Sequence, residues 1–148
     1  MKNALPFLIV TCLLFCCEHE NINIEVNESI AGSWLYVEYG YSPGDKYHTV
    51  PVSAIPPQTI TFNSDFSMTS TIQEMETYKY YRLLEDTVVD RQVIAFFKEN
   101  PGNEPLDLAA LSPTYFTYWQ GSDLYLNYRW CIEGCHMKFK RISSAETE

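Results

Sequence analysis

Pro57-Gln58-Thr59-Ile60-Thr61-Phe62-Asn63-Ser64-Asp65-Phe66-Ser67-Met68-Thr69 decides the fold class of this chain. Ile60, Phe62, Phe66 and Met68 share one parity, and Thr59, Thr61, Ser67 and Thr69 share the other. Successive side chains of a strand point to opposite faces, so this alternation gives a ribbon that is dry on one side and wet on the other. Asn63-Ser64-Asp65 supplies turn residues between the two runs, and a β-hairpin is expected.

The same period recurs along the chain. Ser33–Tyr39, Thr77–Leu84, Val88–Phe97, Tyr115–Gln120, Leu124–Cys131 and Cys135–Ile142 read as further strands, giving about eight with the pair above. In the last hairpin, Leu124, Leu126, Tyr128 and Trp130 alternate with Tyr125, Asn127 and Arg129. Pro43, Pro51, Pro56 and Pro57 make the stretch after the first strand irregular, because proline removes a ladder donor. Val89, Val93, Phe96 and Phe97 also fit helical spacing, so a helix over 85–98 stays open as an alternative. The β-branched Thr87-Val88-Val89 and Val93-Ile94 favour a strand there. Leu106–Leu111 reads as a single helical turn before Pro113. The expectation is an all-β, up-and-down antiparallel barrel of eight strands, since closure removes exposed edges. An open β-sandwich is the other arrangement of the same strands.

Composition agrees with one such domain. The 148 residues include 11 Tyr, 8 Phe and 3 Trp, residue types that suit a pleated, half-buried surface. A net charge of −9 repels a phosphate backbone, so nucleic acid is excluded as a partner.

The amino-terminal segment reads as an address. Lys2 precedes the apolar run Ala4–Phe15, which is too short to span a bilayer and suits a secretory signal. Leu14-Phe15-Cys16-Cys17 followed by Glu18-His19-Glu20 resembles a bacterial lipoprotein signal, with Cys17 as the cleaved and lipidated cysteine. It departs from that pattern at Cys16, where a small residue is usual. An ordinary cleaved signal is the alternative. The division is then residues 1–16 signal peptide, 17–29 polar tether, 30–142 folded domain and 143–148 frayed tail. Several acyl chains on one cysteine give stable membrane attachment.

Cys131-Ile132-Glu133-Gly134-Cys135 sets two cysteines around three residues ending in glycine. A three-residue hairpin loop commonly ends on a left-handed residue, a conformation open to glycine. The cysteines are then expected to face each other across the ladder and form a disulfide, as suits an exported protein. With His136 they supply too few ligands for a tetrahedral metal site, and they lack the Cys-x-x-Cys spacing of a redox pair.

Ile30-Ala31-Gly32-Ser33-Trp34 is similar to the Gly-x-Trp start of the first lipocalin strand. Pro57–Phe66 resembles the second-to-third strand turn of bacterial lipocalin-like lipoproteins, and Cys131–Cys135 with Lys138-Phe139-Lys140-Arg141-Ile142 resembles their ending. The likeness spans about residues 30–142 and implies a lipocalin-like barrel. It also implies that Arg141 packs over Trp34 to close the barrel floor, a stacking for which parity with Met137 and Phe139 is suitable. One departure is Phe66, which stands where that hairpin usually carries glycine.

Enzymatic signatures are missing: there is no Gly-x-Ser-x-Gly, no His-Glu-x-x-His and no phosphate-cradling glycine loop. Asp45-Lys46-Tyr47-His48 reads as a solvated loop, and the carboxylates are dispersed. No catalytic residue, metal site or cofactor is expected. The functional expectation is a monomeric protein exported in a Gram-negative cell and lipid-anchored at the periplasmic face or cell surface. It binds a small apolar or amphipathic ligand, with Tyr36, Trp119, Tyr128 and Trp130 as lining residues, each an apolar ring with a polar tip. The alternative is a ligand-free module that docks another envelope protein.

Overall fold

The computed structural model describes residues 29–143 apart from 45 and 133. Nine strands follow in chain order: β1 (Gly32–Tyr41), β2 (His48–Pro51), β3 (Thr59–Phe62), β4 (Met68–Ser70), β5 (Tyr80–Asp86), β6 (Arg91–Phe97), β7 (Thr114–Gln120), β8 (Asp123–Tyr128) and β9 (His136–Arg141). They form an antiparallel sheet in the order β4-β3-β1-β9-β8-β7-β6-β5, with β2 beside the upper half of β1. The two ends of this sheet meet. Met68 N donates to Lys79 O (2.8 Å), Tyr81 N donates to Phe66 O (2.9 Å), and Ser67 pairs with Tyr80. Eight strands therefore run up and down in an all-β sheet nearly closed into a barrel. No helix occurs among the described residues.

The core fills the lower barrel. Trp34, Ile60, Phe62, Met68, Tyr81, Ile94, Phe96, Leu124, Leu126 and Phe139 are buried in one cluster. Their parity on each strand is that of a half-buried sheet. Ile72 and Met75 join them from the β4–β5 connection, where Met75 N and Glu76 N both donate to Ile72 O in one tight turn.

Several local expectations are corrected. The alternative helix over 85–98 does not form, and the two expected strands are present with shifted ends: Tyr80–Asp86 and Arg91–Phe97 pair directly. Thr87, Val88 and Val89, expected in a strand, lie in the turn between them. The Asp86 carboxylate accepts the Val88 N–H (3.0 Å), and Asp90 takes a left-handed φ of 52°. Phe66 is not on the dry face. It adopts a φ of 65° in the β3–β4 turn and is half exposed. β8 ends at Tyr128, so Trp130 and both cysteines belong to a loop and not to the ladder.

A third layer covers one outer wall. Val93, Ala95 and Thr114 have the parity opposite to Ile94 and Phe96, yet they are fully buried. The β6–β7 connection is held there by two arginines. Arg82 Nη1 donates to Gly102 O and Glu104 O (3.3 and 3.0 Å). Arg129 donates to Leu108 O (3.1 Å) and to the Asp86 carboxylate (2.7 Å).

Candidate functional site

The barrel floor is built around Trp34. Its indole N–H donates to Ile30 O (2.8 Å), and the Arg141 guanidinium carbon stands 4.2 Å from the ring centroid. Trp34 and Arg141 are direct partners in the β1–β9 register, which points both side chains to the same face. Arg141 also donates to Ala31 O (2.9 Å) and to Ser29 O, tying down the chain that enters β1. The floor is shut by this stack and by Trp119, whose ring centroid is 5.5 Å from that of Trp34.

The opposite end is open. A cavity of about 630 Å³ lies at the mouth, lined by Tyr36, Tyr39, Tyr41, Tyr115, Tyr128 and Met137 among others. Tyr36 stacks on Phe139 at 5.3 Å, and Tyr115 packs against Phe96 and Tyr128 at 5.6 and 5.4 Å, so the rings join the core below to the space above. Glu74 reaches the same cavity from the turn that buries Met75. Burial pushes the Tyr115 hydroxyl up to about 12, helped by Tyr128, Tyr78 and the Glu74 carboxylate. Tyr36 is raised further, again by burial first and then by Glu74, Tyr39 and Tyr115. These phenols stay neutral donors throughout the physiological range.

A β-bulge sets which tyrosines face inward. The β1–β9 register advances from Tyr36↔Phe139 to Glu38↔Lys138, which leaves Val37 as the extra residue. Beyond it the parity inverts. Tyr39 and Tyr41 line the cavity, and Glu38 and Gly40 turn to the outer wall. There His136 Nε2 lies 3.2 Å from Glu38 Oε1, and His136 Nδ1 is hydrogen-bonded to the Tyr47 hydroxyl. Gly40 makes this packing possible, because a Cβ there would collide with the Tyr47 hydroxyl and the His136 imidazole.

Of the residues expected from sequence to line the site, Tyr36 and Tyr128 reach the cavity. Trp119 faces the interior but belongs to the floor. Trp130 is outside, 52 % exposed, with the Arg129 guanidinium 5.1 Å from its ring. Its strand ends two residues earlier, so alternation no longer applies to it. Cys131 and Cys135 form a disulfide with Cα atoms 5.7 Å apart, inside a loop where Gly134 has a φ of 77°. Cys17 lies outside the described residues, as does nearly all of the tether. Among the described residues, no group of three His, Cys, Asp or Glu is placed to hold a metal. Sequence reasoning missed Tyr115, whose parity with Trp119 marks it as inward, and it missed Glu74, for which no periodic signal exists.

Comparison with protein-family models, with curated proteins and with solved structures finds no match to this chain. The class rests on geometry: an antiparallel barrel with a stacked Trp–Arg floor and an aromatic mouth.

Proposed function

We propose that this protein is a lipid-anchored, lipocalin-like binding protein of the cell envelope that takes a small apolar or amphipathic molecule into its barrel mouth. The observation that carries this reading is the cavity of about 630 Å³. It lies within the volume range of small-molecule sites, about 300–1,000 Å³, and combines apolar walls with a few polar groups. Eight strands enclose an interior that side chains can fill, or that can hold one small ligand. Here the lower half is packed and the upper half is open. The lipoprotein-type signal preceding Cys17 supports attachment, which would hold such a binder at a membrane.

Native mass spectrometry of the gently purified protein tests the reading. The expected result is a bound mass of a few hundred daltons that is released on unfolding, within the range a cavity of this class accommodates. Repeated recovery of the bare chain, together with failure to take up hydrophobic probes, would favour a ligand-free docking module instead. Metabolic labelling with a fatty acid tests the anchor: Cys17→Ser should abolish incorporation, and undiminished labelling would remove Cys17 as the acylated residue.

A further inference from the structure

We infer that the mouth cavity selects an organic cation, a molecule with a positively charged amine or quaternary ammonium group on an apolar body. This rests on the reading of the mouth as a binding site and specifies its ligand.

Three features of the cavity converge on that chemistry. The first is its ring content. Tyr36, Tyr39, Tyr41, Tyr115 and Tyr128 all line it, and an aromatic face attracts a cation through the ring quadrupole, most strongly where water is excluded. The second is the charge of the lining. Among the described residues it holds the carboxylate of Glu74 and no lysine or arginine. His136 borders it, with its ring nitrogens engaged by Tyr47 and Glu38 on the outer wall. The third is reach. The Glu74 carboxylate acts on the hydroxyls of both Tyr36 and Tyr115, on different strands of the wall, so its field extends across the space between them.

The alternatives fare worse on the same observations. An anionic ligand would meet Glu74 without a compensating cation, inside a chain of net charge −9. A neutral ligand would gain nothing from the Glu74 charge at the rim and little from the ring quadrupoles. A cation gives Glu74 that partner and lays its charge against tyrosine faces. Apolar contact for the rest of the molecule comes from Val50, Val52 and Met137.

Three probes that share a phenylbutyl body and differ only in the head group test this: trimethylammonium, carboxylate and hydroxyl. Each is titrated calorimetrically against the full chain in lipid nanodiscs, with empty discs as the blank. The trimethylammonium probe should bind at least about tenfold more tightly than the other two, a difference of about 1.4 kcal/mol. Glu74→Gln should reduce its affinity several-fold and narrow its lead over the alcohol, leaving only the smaller preference that the tyrosine rings supply. Glu74 is exposed at the rim, so this variant keeps the fold. Equal affinity for all three probes, preference for the carboxylate, or a cation preference undiminished by Glu74→Gln would overturn the inference and leave the cavity as a site for other ligands. If none of the three binds at millimolar concentration, the binding-site reading itself fails.

Discussion

The Arg141 guanidinium occupies the space that a side chain at Gly32 would need: a Cβ at residue 32 would stand 2.6 Å from Arg141 Nη1. Gly32 also has a φ of 133°, a backbone conformation that L side chains rarely adopt. The glycine of the Gly-x-Trp start is thus required twice, once for its dihedral and once for the arginine that stacks on the tryptophan two residues later. Gly32→Ala should lower stability by about 1–3 kcal/mol, measured by urea denaturation. Arg141→Ala should also destabilise, since it removes the stack on Trp34 and the bonds to Ala31 O and Ser29 O. The double variant should lose less than the sum, because Arg141→Ala empties the space the new methyl enters. Strict additivity would show that the dihedral alone governs Gly32.

Thr114 carries a second local conflict. Its side chain is fully buried beneath the β6–β7 connection, and its Oγ1 has no hydrogen-bond partner among the described residues. A buried hydroxyl left unsatisfied costs about 1–3 kcal/mol. Thr114→Val keeps the shape and removes the polar atom, so it should raise the unfolding free energy by about 1 kcal/mol. A variant less stable than the parent would mean that the hydroxyl is satisfied in solution.

How far the sequence could be read depends on whether period two survives locally. Ile60, Phe62 and Met68 alternate into the core as expected, and so do Leu124 and Leu126, because their strands are regular, although β8 is also buried on its other face at Tyr125. Tyr39 and Tyr41 escape that reading because the bulge at Val37 inverts parity, and no residue type announces a bulge. Val93, Ala95 and Thr114 escape it for another reason. Their face is covered by a long connection pinned through Arg82 and Arg129, a tertiary event with no local pattern. Glu74 reaches the mouth from a turn, where spacing carries no facing information. The Trp34–Arg141 stack was legible from parity together with a family likeness, whereas parity alone misplaced Trp130, which lies beyond the strand end.

Phe66 allows a direct test of turn chemistry. It occupies a left-handed position at φ 65°, and its half-exposed ring lies 5.7 Å from that of Tyr81. Phe66→Ala keeps the backbone cost and loses the ring contact, so it should destabilise. Phe66→Gly loses the same contact but removes the steric cost of the conformation. The glycine variant should therefore be more stable than the alanine variant by about 1 kcal/mol. Equal stability of the two in thermal or urea unfolding would argue that this turn relaxes to another geometry.

The mouth tyrosines give the protein an alkaline limit. Tyr115 is raised from an ordinary 10.0 to about 12, and Tyr36 is also raised, in both cases chiefly because burial disfavours the charged phenolate. In the unfolded chain both phenols titrate near about 10. Between that value and the folded one the native state holds protons that the unfolded state has released, so stability falls as pH rises. Below about 10 both states are protonated and these groups contribute no pH dependence. Urea midpoints should therefore be flat with respect to Tyr36 and Tyr115 up to about pH 10, then decline towards about 12. Near-ultraviolet titration of the native protein should show exposed tyrosines ionising first and a late group following. Glu74→Gln should bring that late group to lower pH but not to 10.0, because the carboxylate is a smaller cause than burial for both residues. A single native titration step at the ordinary tyrosine value would show that water reaches Tyr36 and Tyr115 freely and that the cavity is no drier than the surface.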